Sequence, residues 1–483
     1  MFLQNHTAGL SNIKALAGIH LNDVFMTQDP LSYALRNVPR YTSYPTAPHF
    51  HSGVSEQIYA EWLSAITRQD SLSLYLHVPY CRELCHYCGC HTKATRKDAP
   101  LKVYAATLGQ EIGLVGEHLK NAGPVHHIHW GGGTPSLLSR ESLVDLTGLM
   151  RVLFDLSPDL EHAIELDPRF VTAELAETLA MIGINRTSLG VQDFDPDVQK
   201  AIGRIQPFET VARASDFLKS AGLDALNFDL MYGLPGQTPE TIRDTIEKTL
   251  SLAPGRIALF GYAHVPWMRK HQRLIDEATL PSAAERLELA NLARSALLGA
   301  GYVAVGLDHF ARADDSMAVA LFEGSLKRNF QGYTTDQGEQ LIGLGVSSIG
   351  KLTGGFVQNM PDVGSWRRSI LAGRLPVSKG LALTVDDRLR GQIIEDLMTS
   401  YACDLGSACA RFGLSVEHVS NAFDGLEDLV ADGLVTLDLD GTGQARVSVT
   451  DEGRPYVRLA AAAFDAYLAE SQASGKARHS AAV

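Results

Sequence analysis

The sequence predicts an α/β fold organised on a parallel sheet, and two observations carry that expectation. From residue 71 onward, short β-like runs alternate with amphipathic helical stretches, the order that successive βαβ units produce. The residues with the most reactive side chains then fall at or just after the ends of those runs, where parallel sheets gather their sites.

Residues 1–52 precede this rhythm. Their periodicity is weak and Pro39, Pro45 and Pro48 interrupt it, so they are expected to form an N-terminal arm. Within it, Thr42-Ser43-Tyr44-Pro45-Thr46 reads as extended or turn chain, because a residue before proline is pushed out of the helical region. The first strand, 71–78, sets Leu72, Leu74, Leu76 and Val78 on one face and Tyr75 and His77 on the other. The helix after it repeats Tyr104, Leu108, Ile112, Val115 and Leu119 at helical spacing. Further strands are expected at 125–130, 162–167, 187–193, 226–231 and 257–263, which makes six. Gly183, Gly222 and Gly255 are placed as C-terminal stops of the intervening helices, and Thr238-Pro239 as a cap followed by proline in the first turn. A seventh unit, helix 282–301 and strand 302–307, extends the series. Residues 376–468 read as a separate, mostly helical unit with a small hairpin after Leu429, and residues 469–483 as a mobile tail.

The net charge of -13 argues against a general nucleic-acid or anionic-membrane surface, and the acid-rich stretch 376–468 lacks a basic recognition stripe. An anionic ligand therefore needs local Arg, Lys or His. No stretch approaches the ~20 apolar residues that span a bilayer. Residues 1–29 lack the basic segment, apolar core and cleavage site of an export signal, so a cytoplasmic location is expected.

Four of the six cysteines lie in one loop after the first strand, Cys81-Arg82-Glu83-Leu84-Cys85-His86-Tyr87-Cys88-Gly89-Cys90. Thiolates are soft ligands that select iron–sulfur clusters, zinc or cuprous copper. Structural zinc closes a tetrahedron, normally with two CxxC pairs, and no second pair exists here; Cys403 and Cys409 have five residues between them in a helical-looking segment. Zinc with Cys90, His86 or His91 as fourth ligand is the competing reading. Three cysteines at CxxxCxxC spacing favour a four-iron cluster with one iron left open to a non-protein ligand. At the end of the second strand, Gly131-Gly132-Gly133-Thr134 lacks the Lys-Ser/Thr of a phosphate loop and does not match GxGxxG. Its glycines allow a ligand close to the backbone.

CxxxCxxC with Tyr87 before the last cysteine resembles the cluster loop of the radical S-adenosylmethionine (SAM) enzymes. With Cys90 completing CxxxCxxCGC, with Tyr41-Thr42-Ser43-Tyr44-Pro45-Thr46, His129-Trp130-Gly131-Gly132-Gly133-Thr134-Pro135-Ser136 and Asn329-Phe330-Gln331-Gly332-Tyr333-Thr334-Thr335, the chain resembles the oxygen-independent coproporphyrinogen III oxidases (coproporphyrinogen dehydrogenases) over residues 36–468.

The resemblance implies a radical SAM partial (β/α)6-type barrel over 53–375, between the N-terminal arm and a mostly helical C-terminal domain. It implies one 4Fe-4S cluster on Cys81, Cys85 and Cys88, whose fourth iron takes the amine and carboxylate of SAM. Carried over position by position, a first SAM would touch Tyr75, Gly132, Glu165 and Ile349. A second would touch Tyr87, Gly133, Thr134, Gln192, Arg204, Asp229 and Ala263. Asp229 suits ribose hydroxyls, and Arg204 offers a planar fork to a carboxylate.

The implied reaction converts two propionates of coproporphyrinogen III to vinyl groups through a 5′-deoxyadenosyl radical, giving protoporphyrinogen IX for haem biosynthesis. Because that radical takes the hydrogen itself, no catalytic side chain is assigned, and Cys90 stands beside the cluster but surplus to it. The expected partners are the porphyrinogen and an electron donor and acceptor that the sequence does not name; a monomer is expected. The competing functions are a related radical SAM protein that carries or modifies haem, and a non-enzymatic metal-stabilised binding module. Haem-carrying relatives generally lack the Cys after Gly and the Asn329–Thr335 type of segment.

Overall fold

Alternate residues of the strands are apolar, and it is the apolar ones that face outward. In the computed structural model, which describes residues 28–439 and 445–468, Leu72, Leu74, Leu76 and Val78 are fully buried within the main hydrophobic core. Their polar neighbours Ser73, Tyr75 and His77 turn the other way. The same alternation runs through β1 (Leu72–Val78), β2 (Val125–Gly132), β3 (Leu156–Leu166), β4 (Arg186–Gln192), β5 (Leu226–Tyr232) and β6 (Arg256–Gly261). These six strands are parallel and lie in sequential order. Helices α1 (Ala99–His118), α2 (Arg140–Leu153), α3 (Ala173–Met181), α4 (Phe208–Ser220) and α5 (Pro239–Ser251) return the chain between them. The result is a partial (β/α)6-type barrel with a polar lumen and its apolar core between strands and helices.

Helix ends follow the residues that suit them. Thr238 caps α5 through Thr241 in a capping box, with Pro239 in the first turn. Gly183 and Gly222 reverse the chain after α3 and α4 with φ of +87° and +83°. Gly255 does not do this for α5. Ala253 takes the left-handed conformation at φ +49° instead, because Leu252 and Ala253 still bond back to the last turn and Pro254 follows at once.

The seventh unit departs from the expectation. Helix α6 (Ala283–Gly299) leads to β7 (Val303–Val305), but Gly306 at φ +59° turns the chain back into β8 (His309–Ala311). Strand β8 pairs antiparallel with both β6 and β7, so the parallel series stops at six on this edge. The seventh parallel strand is β9 (Gln340–Leu344), beside β1 at the other edge. Three antiparallel strands continue from it, β10 (Ile349–Leu352), β11 (Gly355–Asn359) and β12 (Val377–Ala382), with α7 (Val363–Leu371) between the last two. At the N-terminal end of the lumen Arg186 pairs with Glu161 at 3.1 Å and Arg256 with Asp315 at 2.6 Å, so the charges buried there are matched.

Helix α1 fixes the turn between β9 and β10. The fully enclosed Glu111 carboxylate accepts from Gly345 N–H at 2.7 Å, Asn359 Nδ2 at 2.6 Å and Trp366 Nε1 at 3.0 Å. Tyr104 donates to the His77 carbonyl at 2.5 Å and accepts from Val346 N–H at 3.0 Å, so one hydroxyl joins the end of β1 to that turn.

Among the described residues, the second compact unit comprises 28–45 with 384–439 and 445–468. A helix over Val385–Ser400, capped by Thr384 and Asp387, leads to a three-stranded sheet of Ala402–Asp404, Ala445–Val449 and Val435–Leu439. The Tyr41 hydroxyl donates to Asp465 at 3.0 Å and Arg458 donates to the Val38 and Pro39 carbonyls, which seats the stretch before Pro45 on this unit. The expected tail, 469–483, and the first 27 residues of the arm lie outside the described residues. No helix among the described residues is long and apolar enough to cross a membrane.

Two consequences are measurable. His162 is buried on β3, where it accepts from Trp130 Nε1 at 2.8 Å, and burial with the nearby Arg151 charge pushes its pKa down to about 3. A depressed folded-state value means its stabilisation is present above the ordinary 6.5 and lost as pH falls toward 3. Urea titrations should show that fall, and His162→Gln, which keeps an acceptor, should flatten it. Glu111→Leu leaves the buried Gly345 N–H and Trp366 Nε1 without an acceptor, whereas Asn359 Nδ2 keeps the Gly345 carbonyl, and should cost roughly 3 kcal/mol in the same assay.

Candidate active site

The cysteine loop leaves β1 at Pro79 and returns where Tyr80–Cys81 pairs with Lys93–Ala94. Between those ends its main chain is held from several elements. His86 N–H donates to the Ile202 carbonyl at 2.9 Å, and its Nδ1 lies 3.2 Å from the Ala201 carbonyl. Gln272 Nε2 donates to the Tyr87 carbonyl at 2.9 Å and His271 Nε2 to the Cys88 carbonyl at 2.7 Å. His77 Nε2 donates to the His91 carbonyl at 2.9 Å, and His91 Nε2 to the Pro361 carbonyl at 2.8 Å. His86 and His91, the histidines a zinc site would enlist, thus each commit a ring nitrogen to a carbonyl.

The thiols face differing surroundings. Cys81 lies 3.3 Å from Thr92 Oγ1 and 3.5 Å from Thr134 Oγ1, and burial pushes its pKa up. Cys85 receives Arg204 Nη1 at 3.5 Å. Cys88 is pulled down to about 7, chiefly by a hydrogen bond from Cys90. Among the described residues no three His, Cys, Asp or Glu side chains converge as one metal ion would require. A four-iron cluster asks instead that each thiolate meet a different iron.

The three glycines after β2 serve the fold before any ligand. A Cβ on Gly131 would stand 2.7 Å from Glu165 Oε1, and on Gly133 2.6 Å from the Tyr80 carbonyl. On Gly132, at φ +110°, it would stand 2.6 Å from His77 Cε1. Gly132 N–H donates to Glu165 Oε2 at 3.1 Å, and His129 Nε2 lies 3.2 Å from Glu165 Oε1. Burial alone would raise Glu165, yet His129, the Gly132 N–H and His77 hold its carboxyl below the usual range. Tyr75 donates to His77 Nδ1 at 3.0 Å and stacks on His129, and Gly343, level with it in β9, is covered by the backbone of Ile349. Tyr75, Gly132, Glu165, Ile349 and the cysteine loop are therefore neighbours.

A second group gathers round Arg204. Its guanidinium is only 7% exposed, not the exposed helix-end residue its position suggests. Nη1 reaches Asp167 at 3.3 Å, Nη2 donates to the Gly190 carbonyl at 2.8 Å, and Nε is buried without a partner. A Cβ on Gly190 would meet both Arg204 and Gln192, which places those side chains together. Gln192 ends β4 at φ +68°, a conformation costing a non-glycine residue about 1 kcal/mol. Thr134 N–H donates to the Tyr80 carbonyl, and Ala263, beyond the end of β6, shares Gln272 with Tyr87.

Asp229 is not at a strand end. It lies in the middle of β5, level with Gly190 and Ala258, so it faces the lumen one layer deeper than expected. Burial pushes it up to about 6 against hydrogen bonds from Ser188 and Asn227. His77, His129 and Asp167 are not among the site residues assigned from the sequence, although the inward parity of β1 and β2 marks both histidines. His271 and Gln272, over 180 residues from the loop they hold, left no signal.

The profile of the Radical SAM superfamily matches residues 75–249, from Tyr75 through α5. The oxygen-independent coproporphyrinogen III oxidase of Bradyrhizobium diazoefficiens is 50% identical over 94% of this chain and 99% of its own. The chain belongs to the oxygen-independent coproporphyrinogen III oxidase family of radical SAM enzymes. The same-named protein of Paracoccus denitrificans is 42% identical over 92% of this chain and 96% of its own. The solved coproporphyrinogen III oxidase of Escherichia coli, a radical SAM enzyme, superposes with a TM-score of 0.84 at 36% identity, over 89% of this chain and 97% of that one. Family membership brings a 4Fe-4S cluster and SAM. The site suits both, with soft sulfur donors on one loop and an unpartnered buried guanidinium nitrogen beside them.

The packing of Gly132 on His77 gives a double-mutant test. Gly132→Ala should cost about 1–3 kcal/mol of unfolding free energy. In a His77→Ala background the steric part should vanish and only the backbone part remain.

Proposed function

We propose that this chain converts two propionate side chains of coproporphyrinogen III to vinyl groups without molecular oxygen, giving protoporphyrinogen IX in haem biosynthesis. The observation that carries this reading is the likeness along almost the whole chain to relatives of that name. Cys81, Cys85 and Cys88 would hold the cluster. Tyr75, Gly132, Glu165 and Ile349 would take one SAM, and Tyr87, Gly133, Thr134, Gln192, Arg204, Asp229 and Ala263 a second. When bound, the cluster and SAM would supply the radical chemistry that takes a hydrogen from a propionate β-carbon, with carbon dioxide and one electron lost as the vinyl group forms.

The chain's own groups bind, orient and exclude water. The buried Arg204 Nε has a proton to donate to a carboxylate, while its Nη1 lies 3.5 Å from Cys85 Sγ. Glu165, kept ionised by its donors, is an acceptor for an amine or hydroxyl. The reading includes an unidentified electron donor and acceptor, action as a monomer, and a cytoplasmic location.

Anaerobic protein supplied with SAM, dithionite and coproporphyrinogen III should yield vinyl product and methionine; intact SAM under those conditions would overturn the proposal. Cys→Ser at 81, 85 or 88 should lower bound iron and abolish both products. Equilibrium dialysis should find two SAM per chain, falling to one in Arg204→Met.

A further inference from the structure

His309 is built into the barrel wall in a way that packing alone does not explain. It stands in β8 level with Ala258 of β6, and Ala258 is level with Asp229, so the imidazole shares a layer of the lumen with that carboxylate. Phe260 and Tyr333 hold the ring edge-to-face at centroid distances of 5.7 and 5.3 Å, and the residue is 7% exposed. Nδ1 lies 2.7 Å from Asp308 Oδ1. A carboxylate only accepts, so Nδ1 carries a proton, and Nε2 of the Nδ1–H tautomer presents a lone pair. That Nε2 has no hydrogen-bond partner among the described residues.

His309 borders a cavity of about 190 Å³ that Asp229, Glu165 and Gln331 also line. Gly332, at φ +121°, passes the ring so closely that a Cβ there would lie 3.2 Å from Cε1 and 3.5 Å from Nε2. Glycine is what leaves that edge uncovered. Across the same layer each Asp229 oxygen takes one protein donor, Asn227 Nδ2 at 2.8 Å and Ser188 Oγ at 2.9 Å, and keeps further acceptor capacity. A buried acceptor left unmet is costly. A cavity presenting several of them is made for a ligand that brings donors.

We infer that His309, oriented by Asp308 and paired with Asp229, is a ligand-binding residue that accepts a hydrogen bond from an N–H or O–H group of a molecule bound in the barrel. This deepens the reading under Proposed function and rests on it for the two available donors. One is the nucleoside of a SAM molecule, through its ribose hydroxyls or adenine amine. The other is a pyrrole N–H of the porphyrinogen.

His309→Phe keeps the aromatic packing and removes the acceptor, whereas His309→Gln keeps an acceptor. With reconstituted protein, SAM affinity and stoichiometry are read by anaerobic equilibrium dialysis, and the KM for coproporphyrinogen III by product formation. His309→Phe should match the wild type in iron content and thermal midpoint, and should weaken one of the two ligands roughly tenfold. His309→Gln should restore most of it. Weaker SAM with an unchanged KM assigns the donor to the nucleoside; a raised KM with unchanged SAM assigns it to the pyrrole. Asp308→Asn, which leaves the ring in place, should shift the same ligand by a smaller factor and serves if His309→Phe does not fold. Wild-type behaviour of His309→Phe toward both ligands, or equal defects in the Phe and Gln variants, overturns the inference. Wild-type protein that binds SAM but makes no vinyl product overturns the functional reading, while the dialysis arm still reports on His309.

Discussion

The hydrogen bonds that fix the main chain of the cysteine loop are what the rest of the site depends on. Thiolates on a free loop would have to be ordered one by one against conformational entropy of about 1–2 kcal/mol per residue. Here His77, His271 and Gln272 donate to loop carbonyls, and the Ile202 carbonyl receives a loop N–H. They come from β1, from the stretch after β6 and from the stretch after β4. The barrel is thus the frame that brings the donors to one place, and the loop takes its shape from the barrel.

The barrel can do this because its strands sort their residues by face. Apolar side chains go outward under the helices, and everything titratable on the inward parity is forced into one lumen. That crowding sets charge. Glu165 and Asp229 both line the lumen, yet donors from His129 and Gly132 keep Glu165 low while burial takes Asp229 up to about 6. Two acids in one cavity thereby acquire different protonation behaviour from their surroundings alone. Arg204 supplies the opposing charge at the rim, shared among Asp167, Cys85 and the Gly190 carbonyl.

Much of this was legible in the sequence, for a physical reason. A two-residue period marks a strand with one buried face, so Leu72 through Val78 announced β1 and its inward Tyr75 and His77. The cysteine spacing was equally plain. What failed were features decided by distant contacts. The run after α6 has strand composition, but Gly306 turns it back, and the strand that does extend the parallel array follows the Asn329–Thr335 segment. Gly255 looked like a helix stop, while Pro254 moved the reversal to Ala253. Asp229 falls inside the run 226–231 and not at its end, and the register with Ala258 puts it mid-strand, one layer below the strand-end residues it was grouped with. His271 and Gln272 act only through the fold.

The loop's anchors have a consequence for damage and repair. None of the bonds from His77, His271, Gln272 or to Ile202 involves iron. Oxygen that strips the metal is therefore expected to leave the scaffold standing, so recovery needs fresh iron, sulfide and electrons but no renewed folding. Amide exchange at His86, whose N–H is tied to Ile202, should be as slow after oxidation as before it.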